Sequence, residues 1–103
     1  MVLDDSDRGM LERNIDKAIK EIPGWVRTIF NPDVKSGMHI QNEFDFVYGM
    51  TYQGIMRDFF RDYSDKYQYQ RVLTMEEMQE VFQIIYRRIP EIRNAIQTSG
   101  IKP

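Results

Sequence analysis

The segment from Met38 to Tyr67 constrains this chain most, because its apolar residues recur at helical spacing over well over half of a helix circumference. A surface helix of a globular protein needs only one apolar stripe, about 100° wide. This segment has two stripes, and Phe46 and Met50 lie on a third side. We therefore expect a central helix over residues 38–67 with contacts on two sides. The stripes consist of Ile40, Phe44, Val47, Tyr48, Thr51 and Ile55, and of Tyr52, Met56, Phe59, Phe60 and Tyr63.

A first helix is predicted from about Asp7 to Ile22, where one face is apolar and the opposite face is charged. Pro23 should break or kink it, because proline lacks the N–H of an interior helical residue. The apolar phase continues beyond the proline, which predicts further helical structure to Phe30. Residues 31–37 are predicted to form a turn and a loop.

The last helix has the best-defined start in the sequence. Thr74 and Glu77 have the spacing of a capping box, in which a hydroxyl and a carboxylate satisfy the free amides of the first turn. Ile92 and Ile96 keep the apolar phase beyond Pro90. One kinked helix extending to about Thr98 is therefore favoured over two separate helices.

These segments predict an all-α fold, a compact bundle of three long helices. Prolines kink the first and last helices, which gives four to five helical pieces, and the central helix lies between the other two. At 103 residues the chain has the length of one domain, so residues 1–103 are expected to form a single all-α domain.

The composition narrows the class of protein. Cysteine is absent, which excludes disulfides, thiolate zinc sites and cysteine nucleophiles. No apolar run approaches the roughly 20 residues that span a bilayer, and the first ten residues do not resemble a signal peptide. The net charge of −2 does not favour general binding to nucleic acid or anionic lipid. A soluble, cytoplasmic protein without a membrane partner is expected.

Motifs for catalysis are missing from the sequence. There is no glycine-rich phosphate loop, no serine nucleophile signature and only one histidine. We therefore predict a protein that is not an enzyme and that uses no cofactor.

The leading hypothesis is a non-enzymatic protein–protein interaction module or a homodimer. The central helix has more apolar surface than a small bundle can cover, and large uncovered apolar patches usually mark a contact surface. Its two glycines each cost about 1 kcal/mol relative to alanine, which suggests close approach of another helix, from the same chain or from a second subunit. The predicted interface consists of Phe46, Gly49, Met50, Gly54, Met56 and Phe60.

A nucleic-acid-binding regulator is the first alternative. The C-terminal segment is rich in basic and amide side chains, as a recognition helix would be. Cations near a helix C-terminus are also favoured by the helix dipole without any ligand. The predicted contacts are Arg87, Arg88, Arg93 and Lys102.

A metal-binding protein is the second alternative. His39 and Glu43 are four residues apart near the predicted start of the central helix, so both would lie on one helix face. Asp33 and Asp45 are the nearest further ligands, and the sequence has no second histidine. An exposed pair at the start of a helix is the more ordinary interpretation, and no metal ligand is assigned.

An acidic ridge of Asp58, Asp62 and Asp65 follows on the same helix. Such carboxylates can hold a hard cation, but a solvated face is favoured because basic residues alternate with them. Should the ridge face protein instead, Arg87 and Arg88 are the expected counter-charges.

Overall fold

A computed structural model of the protein describes residues 2–103, which form five helices and no strand. Three of the helices pack against one another as a bundle, so the predicted all-α bundle of four to five helical pieces is confirmed. The helices are α1 (Asp5–Ile29), α2 (Pro32–Gly37), α3 (Glu43–Lys66), α4 (Met75–Arg87) and α5 (Ile89–Thr98).

Helix α1 begins after Asp4, whose side chain accepts a hydrogen bond from the Asp7 N–H at 2.7 Å. Pro23 lies inside α1, and the chain remains helical to Ile29. An interior proline costs about 3 kcal/mol. Val26 and Ile29 beyond it are buried, and burying each side chain contributes roughly 1.5–3 kcal/mol. This burial offsets the cost of continuing the helix.

Helix α2 replaces most of the turn and loop predicted for residues 31–37, so that part of the prediction was wrong. Asn31 caps the helix by accepting a hydrogen bond from the Asp33 N–H at 2.9 Å. Pro32 occupies the first helical position, where its missing N–H is not needed. Asparagine followed by proline is therefore a helix start here rather than a turn.

Helix α3 begins at Glu43, five residues later than the predicted start at Met38. The Asn42 side chain caps it by accepting a hydrogen bond from the Asp45 N–H at 2.8 Å. His39 precedes the helix in a left-handed conformation with φ of 54°, which interrupts any helix across it.

Helices α1, α3 and α5 form a triangle, because α1 contacts α5 directly as well as α3. The central helix was predicted to lie between the first and last helices. In the structure α3 contacts both α1 and α5, and α1 and α5 also contact each other. The triangle encloses the core. Its fully buried members include Leu11, Ile15, Ile22, Ile29, Val47, Ile55, Phe59, Ile92 and Ile96.

The capping box of α4 is present as predicted. The Thr74 hydroxyl accepts a hydrogen bond from the Glu77 N–H at 3.1 Å, and the Glu77 carboxylate accepts one from the Thr74 N–H at 2.9 Å. Arg88 alone separates α4 from α5, and Pro90 lies in the first turn of α5. Helix α4 packs against α1 and α5. Within residues 2–103, no helix is long and apolar enough to cross a membrane.

Candidate interaction surface

A wide gap separates α3 from α4, although a short connection joins them. Over the described chain, no Cα atom of α4 lies within 8 Å of a Cα atom of α3, whereas α3 makes such approaches to α1 and α5. Contact between these two helices therefore depends on large side chains.

The two helices run antiparallel, as their ion pairs with α1 show. Lys66 at the end of α3 pairs with Asp7 at the start of α1, and Asp58 pairs with Lys17 further along α1, so α3 runs opposite to α1. Helix α4 runs in the same direction as α1, because Glu80 pairs with Arg8 and Arg88, directly after α4, pairs with Asp16.

Residues four apart lie on one helix face. Tyr52, Met56 and Phe60 therefore share one face of α3, and Met78, Phe82 and Tyr86 share one face of α4. We call these six residues the α3–α4 seam. Burial and then the phenols of Tyr86 and Tyr48 raise the pKa of Tyr52.

The seam is only partly covered. Phe60 is 38% exposed and Tyr86 is 57% exposed, and the other four residues are half-buried. The rings of Phe82 and Tyr86 stack with their centroids 6.3 Å apart. None of the six seam residues is charged. Exposed amides and charged residues lie beside them, with Gln53 next to Arg57, and Gln79 and Gln83 next to Glu76.

The interface residues predicted from the sequence do not form one surface. Met56 and Phe60 belong to the seam. Phe46 is half-buried and packs against the core. Met50 and Gly54 line a cleft of about 230 Å³ between α1 and α3, together with Trp25.

The two glycines of α3 are not sites of close helix approach within the chain. A Cβ atom added at Gly49 would meet nothing within 4 Å, and one at Gly54 would meet only the Arg57 side chain, at 3.9 Å. For contacts within residues 2–103, the close-approach interpretation was therefore wrong. Contact with a second subunit remains a prediction.

Two of the four predicted nucleic-acid contacts are engaged within the chain. The Arg88 guanidinium pairs with Asp16 at 2.6 Å and with Glu91 at 2.9 Å, and its side chain is 18% exposed. The Glu91 hydrogen bond raises the pKa of Arg88 despite its burial. The Arg93 guanidinium lies over the Phe44 ring, 4.7 Å from its centroid. Arg87 and Lys102 are exposed.

His39 and Glu43 do not share a helix face, because His39 lies in the loop before α3. The geometric basis of the predicted metal pair was therefore wrong. The Glu43 carboxylate instead accepts a hydrogen bond from the Lys35 ammonium at 3.0 Å. Within residues 2–103, no group of three or more histidine, aspartate or glutamate side chains is placed to hold a metal ion.

The acidic ridge is not a uniformly solvated face, because Asp58 is buried. Its carboxylate lies 3.1 Å from Arg57, 3.3 Å from Arg61 and 3.6 Å from Lys17 of α1. Burial opposes ionisation of Asp58, but these cations outweigh it and lower its pKa. The counter-charges come from α1 and α3, and not from the predicted Arg87 and Arg88.

A polar cluster that the sequence did not predict joins the start of α1 to the end of α3. The buried Asp7 carboxylate accepts hydrogen bonds from the Lys66 ammonium and the Tyr67 hydroxyl, each at 2.7 Å. The Asp7 hydrogen bond raises the pKa of Lys66. The nearby Tyr63 hydroxyl is buried, and it has no hydrogen-bond partner within residues 2–103. These hydrogen bonds connect the start of α1 to the end of α3.

Comparisons with protein-family models, curated proteins and solved structures found no match to this chain. The functional assignment therefore depends on the surfaces described above.

Proposed function

We propose that the protein is a non-enzymatic interaction module that binds another protein chain at the α3–α4 seam. The observation that carries this proposal is the incomplete burial of six large apolar and aromatic residues along one gap. Monomeric proteins rarely expose contiguous apolar patches larger than a few hundred Å², and larger patches usually mark a contact surface.

The seam has the composition of a protein-binding surface. Aromatic residues and methionine are enriched at the cores of protein interfaces, and charged residues are depleted there. Methionine is also flexible enough to adjust to the shape of a partner. Tyr52 and Tyr86 add hydroxyl groups that can form hydrogen bonds at the edge of a contact.

A helix would suit this apolar surface. Amphipathic helices bind apolar surfaces of other proteins through apolar residues spaced three, four and seven apart. We therefore expect the partner to present a helix with an apolar face.

The test is site-specific photo-crosslinking in the cells that make the protein. A photoreactive phenylalanine analogue replaces Tyr86 in the seam or, as the matched control, Phe30, an aromatic residue of similar exposure at the end of α1. The expected result is a defined crosslinked adduct with a polypeptide from position 86 and none from position 30. Equal labelling from both positions, or no protein adduct from position 86, would contradict the proposal.

A further inference from the structure

We infer that the cleft between α1 and α3 binds a small carboxylic acid with a flat apolar body. The cleft shares no lining residue with the α3–α4 seam, so this site is separate from the proposed protein-binding surface.

The cleft is open because small residues lie on both of its walls. Ala18 of α1 and Gly54 of α3 line its volume of about 230 Å³, and neither has a side-chain atom beyond Cβ. A Cβ atom added at Gly54 would meet only the end of the Arg57 side chain, at 3.9 Å. Glycine is unfavourable inside a helix, and no close contact within residues 2–103 requires it at this position. A larger side chain at position 54 would instead extend into the cleft.

Two large apolar side chains line the cleft. Trp25 of α1 and Met50 of α3 are both half-buried and face this space. An indole ring stacks against flat apolar groups, and a methionine side chain adjusts to the shape of what it contacts. These two residues would therefore hold the apolar body of a ligand.

The Arg57 guanidinium supplies the polar contact. Its Nε donates a hydrogen bond to the Asp58 carboxylate at 3.1 Å, and its two terminal nitrogens donate none within residues 2–103. One terminal nitrogen lies beside Gly54, at the wall of the cleft. A guanidinium binds a carboxylate through two parallel hydrogen bonds, which fixes the orientation of the ligand as well as its charge.

The two carboxylates of the cleft are already paired, which limits the charge that the site accepts. Asp58 pairs with Lys17 and Arg61 in addition to Arg57, and Glu21 lies 4.0 Å from the Lys17 ammonium. They would repel a dianion such as phosphate, whereas one carboxylate can meet the free nitrogens of Arg57. The volume is below the roughly 300–1,000 Å³ of sites for drug-sized molecules, so the ligand is a small one.

The experiment titrates phenylacetate into the isotope-labelled full chain and follows the indole N–H of Trp25 by NMR. Trp25 is the only tryptophan of the chain, so one signal reports from a wall of the cleft. We expect a saturable shift with a dissociation constant of about 1 mM, ordinary for a ligand of so few atoms. Phenylacetamide, which lacks the charge, and phenethylamine, which reverses it, should each bind about tenfold more weakly or worse.

Two pairs of variants locate the ligand. Arg57→Gln should raise the dissociation constant by about tenfold, the effect of losing a hydrogen bond between charged groups. Arg61→Gln removes a cation that also pairs with Asp58 but does not line the cleft, and it should bind within about threefold of the wild type. Gly54→Leu should fill the cleft and abolish binding. Gly49→Leu makes the same exchange in α3 at a position outside the cleft and should bind normally.

A Trp25 signal that phenylacetate does not move would overturn the inference. Equal binding of phenylacetamide or phenethylamine would show that the site does not select a carboxylate. Arg57→Gln binding as tightly as the wild type would exclude the guanidinium contact, and Gly54→Leu binding as well as Gly49→Leu would place the ligand elsewhere. Circular dichroism of each variant establishes that the helices are intact.

Discussion

At the scale of single residues, Asp7 is the polar side chain whose loss should matter most to stability. Its buried carboxylate accepts hydrogen bonds from Lys66 and Tyr67. Asp7→Asn removes the charge and leaves the Lys66 ammonium without its closest counter-charge. We expect the free energy of unfolding to fall by roughly 1–3 kcal/mol, as for other broken charged hydrogen bonds at buried sites. Urea denaturation followed by circular dichroism measures this change.

The matched control is Asp5→Asn in the same first turn of α1, because the Asp5 side chain is 97% exposed. Exposed ion pairs contribute little, so this variant should unfold within about 0.5–1 kcal/mol of the wild type. If the two variants were equally stable, the Asp7 cluster would have no special role in stability.

Single-residue roles were the hardest to predict from the sequence. Arg88 was predicted to contact nucleic acid and Asp58 to lie on a solvated face. Each instead pairs with a charged residue of α1. Local sequence patterns do not indicate how two helices align with each other. Phe82 follows the buried Val81 in α4, yet Phe82 itself is only half-buried in the seam. Exposure at this position depends on the distance between α3 and α4, which is a property of the packed bundle rather than of either helix.

At the scale of one helix, Gly49 lies within α3 where a Cβ atom would meet nothing within 4 Å. Gly49→Ala should therefore raise the free energy of unfolding by about 0.5–1 kcal/mol, because alanine loses less backbone entropy in a helix. Thermal unfolding at low protein concentration measures this effect on the monomer. A destabilised variant would show that Gly49 is needed for a contact that the monomer already makes.

Gly100→Ala provides the opposite control. Gly100 follows α5 with φ of 109°, a conformation that L-amino acids with a side chain rarely adopt. Replacing it should lower stability, in contrast to the change at Gly49. If the two substitutions change the free energy of unfolding in opposite directions, the effect of helix propensity is distinguished from the effect of backbone conformation.

Helices were predicted well where a local signal marks their ends. The capping box of Thr74 and Glu77 placed the start of α4 correctly, because both partners lie within one turn of each other. The start of α3 was placed too early because Ile40 fits the apolar period. Ile40 is buried although it lies in the loop before α3, so its apolar spacing did not indicate helical structure. The cap at Asn42 was the correct signal.

At the scale of the whole molecule, Glu80 joins the beginning of the described chain to α4. Its carboxylate accepts hydrogen bonds from the backbone N–H groups of Val2 and Leu3, each at 2.9 Å, and it pairs with Arg8 at 3.4 Å. Leu3 is buried beside it. The Glu80 carboxylate therefore holds the N-terminal segment against α4.

This contact predicts a pH dependence of stability. Burial opposes ionisation of Glu80, but the hydrogen bonds from Leu3, Val2 and Arg8 outweigh it, so its folded pKa lies below the ordinary value of 4.5. The stabilisation is therefore present above pH 4.5 and is lost as the pH falls through the folded pKa. Glu80→Gln should lower the free energy of unfolding at about pH 7, and the difference from the wild type should shrink by about pH 3. The exposed Glu76→Gln in the same helix is the control. The difference in free energy of unfolding between Glu80→Gln and the wild type could instead stay constant with pH. That result would mean that shape, rather than charge, holds the N-terminal segment against α4.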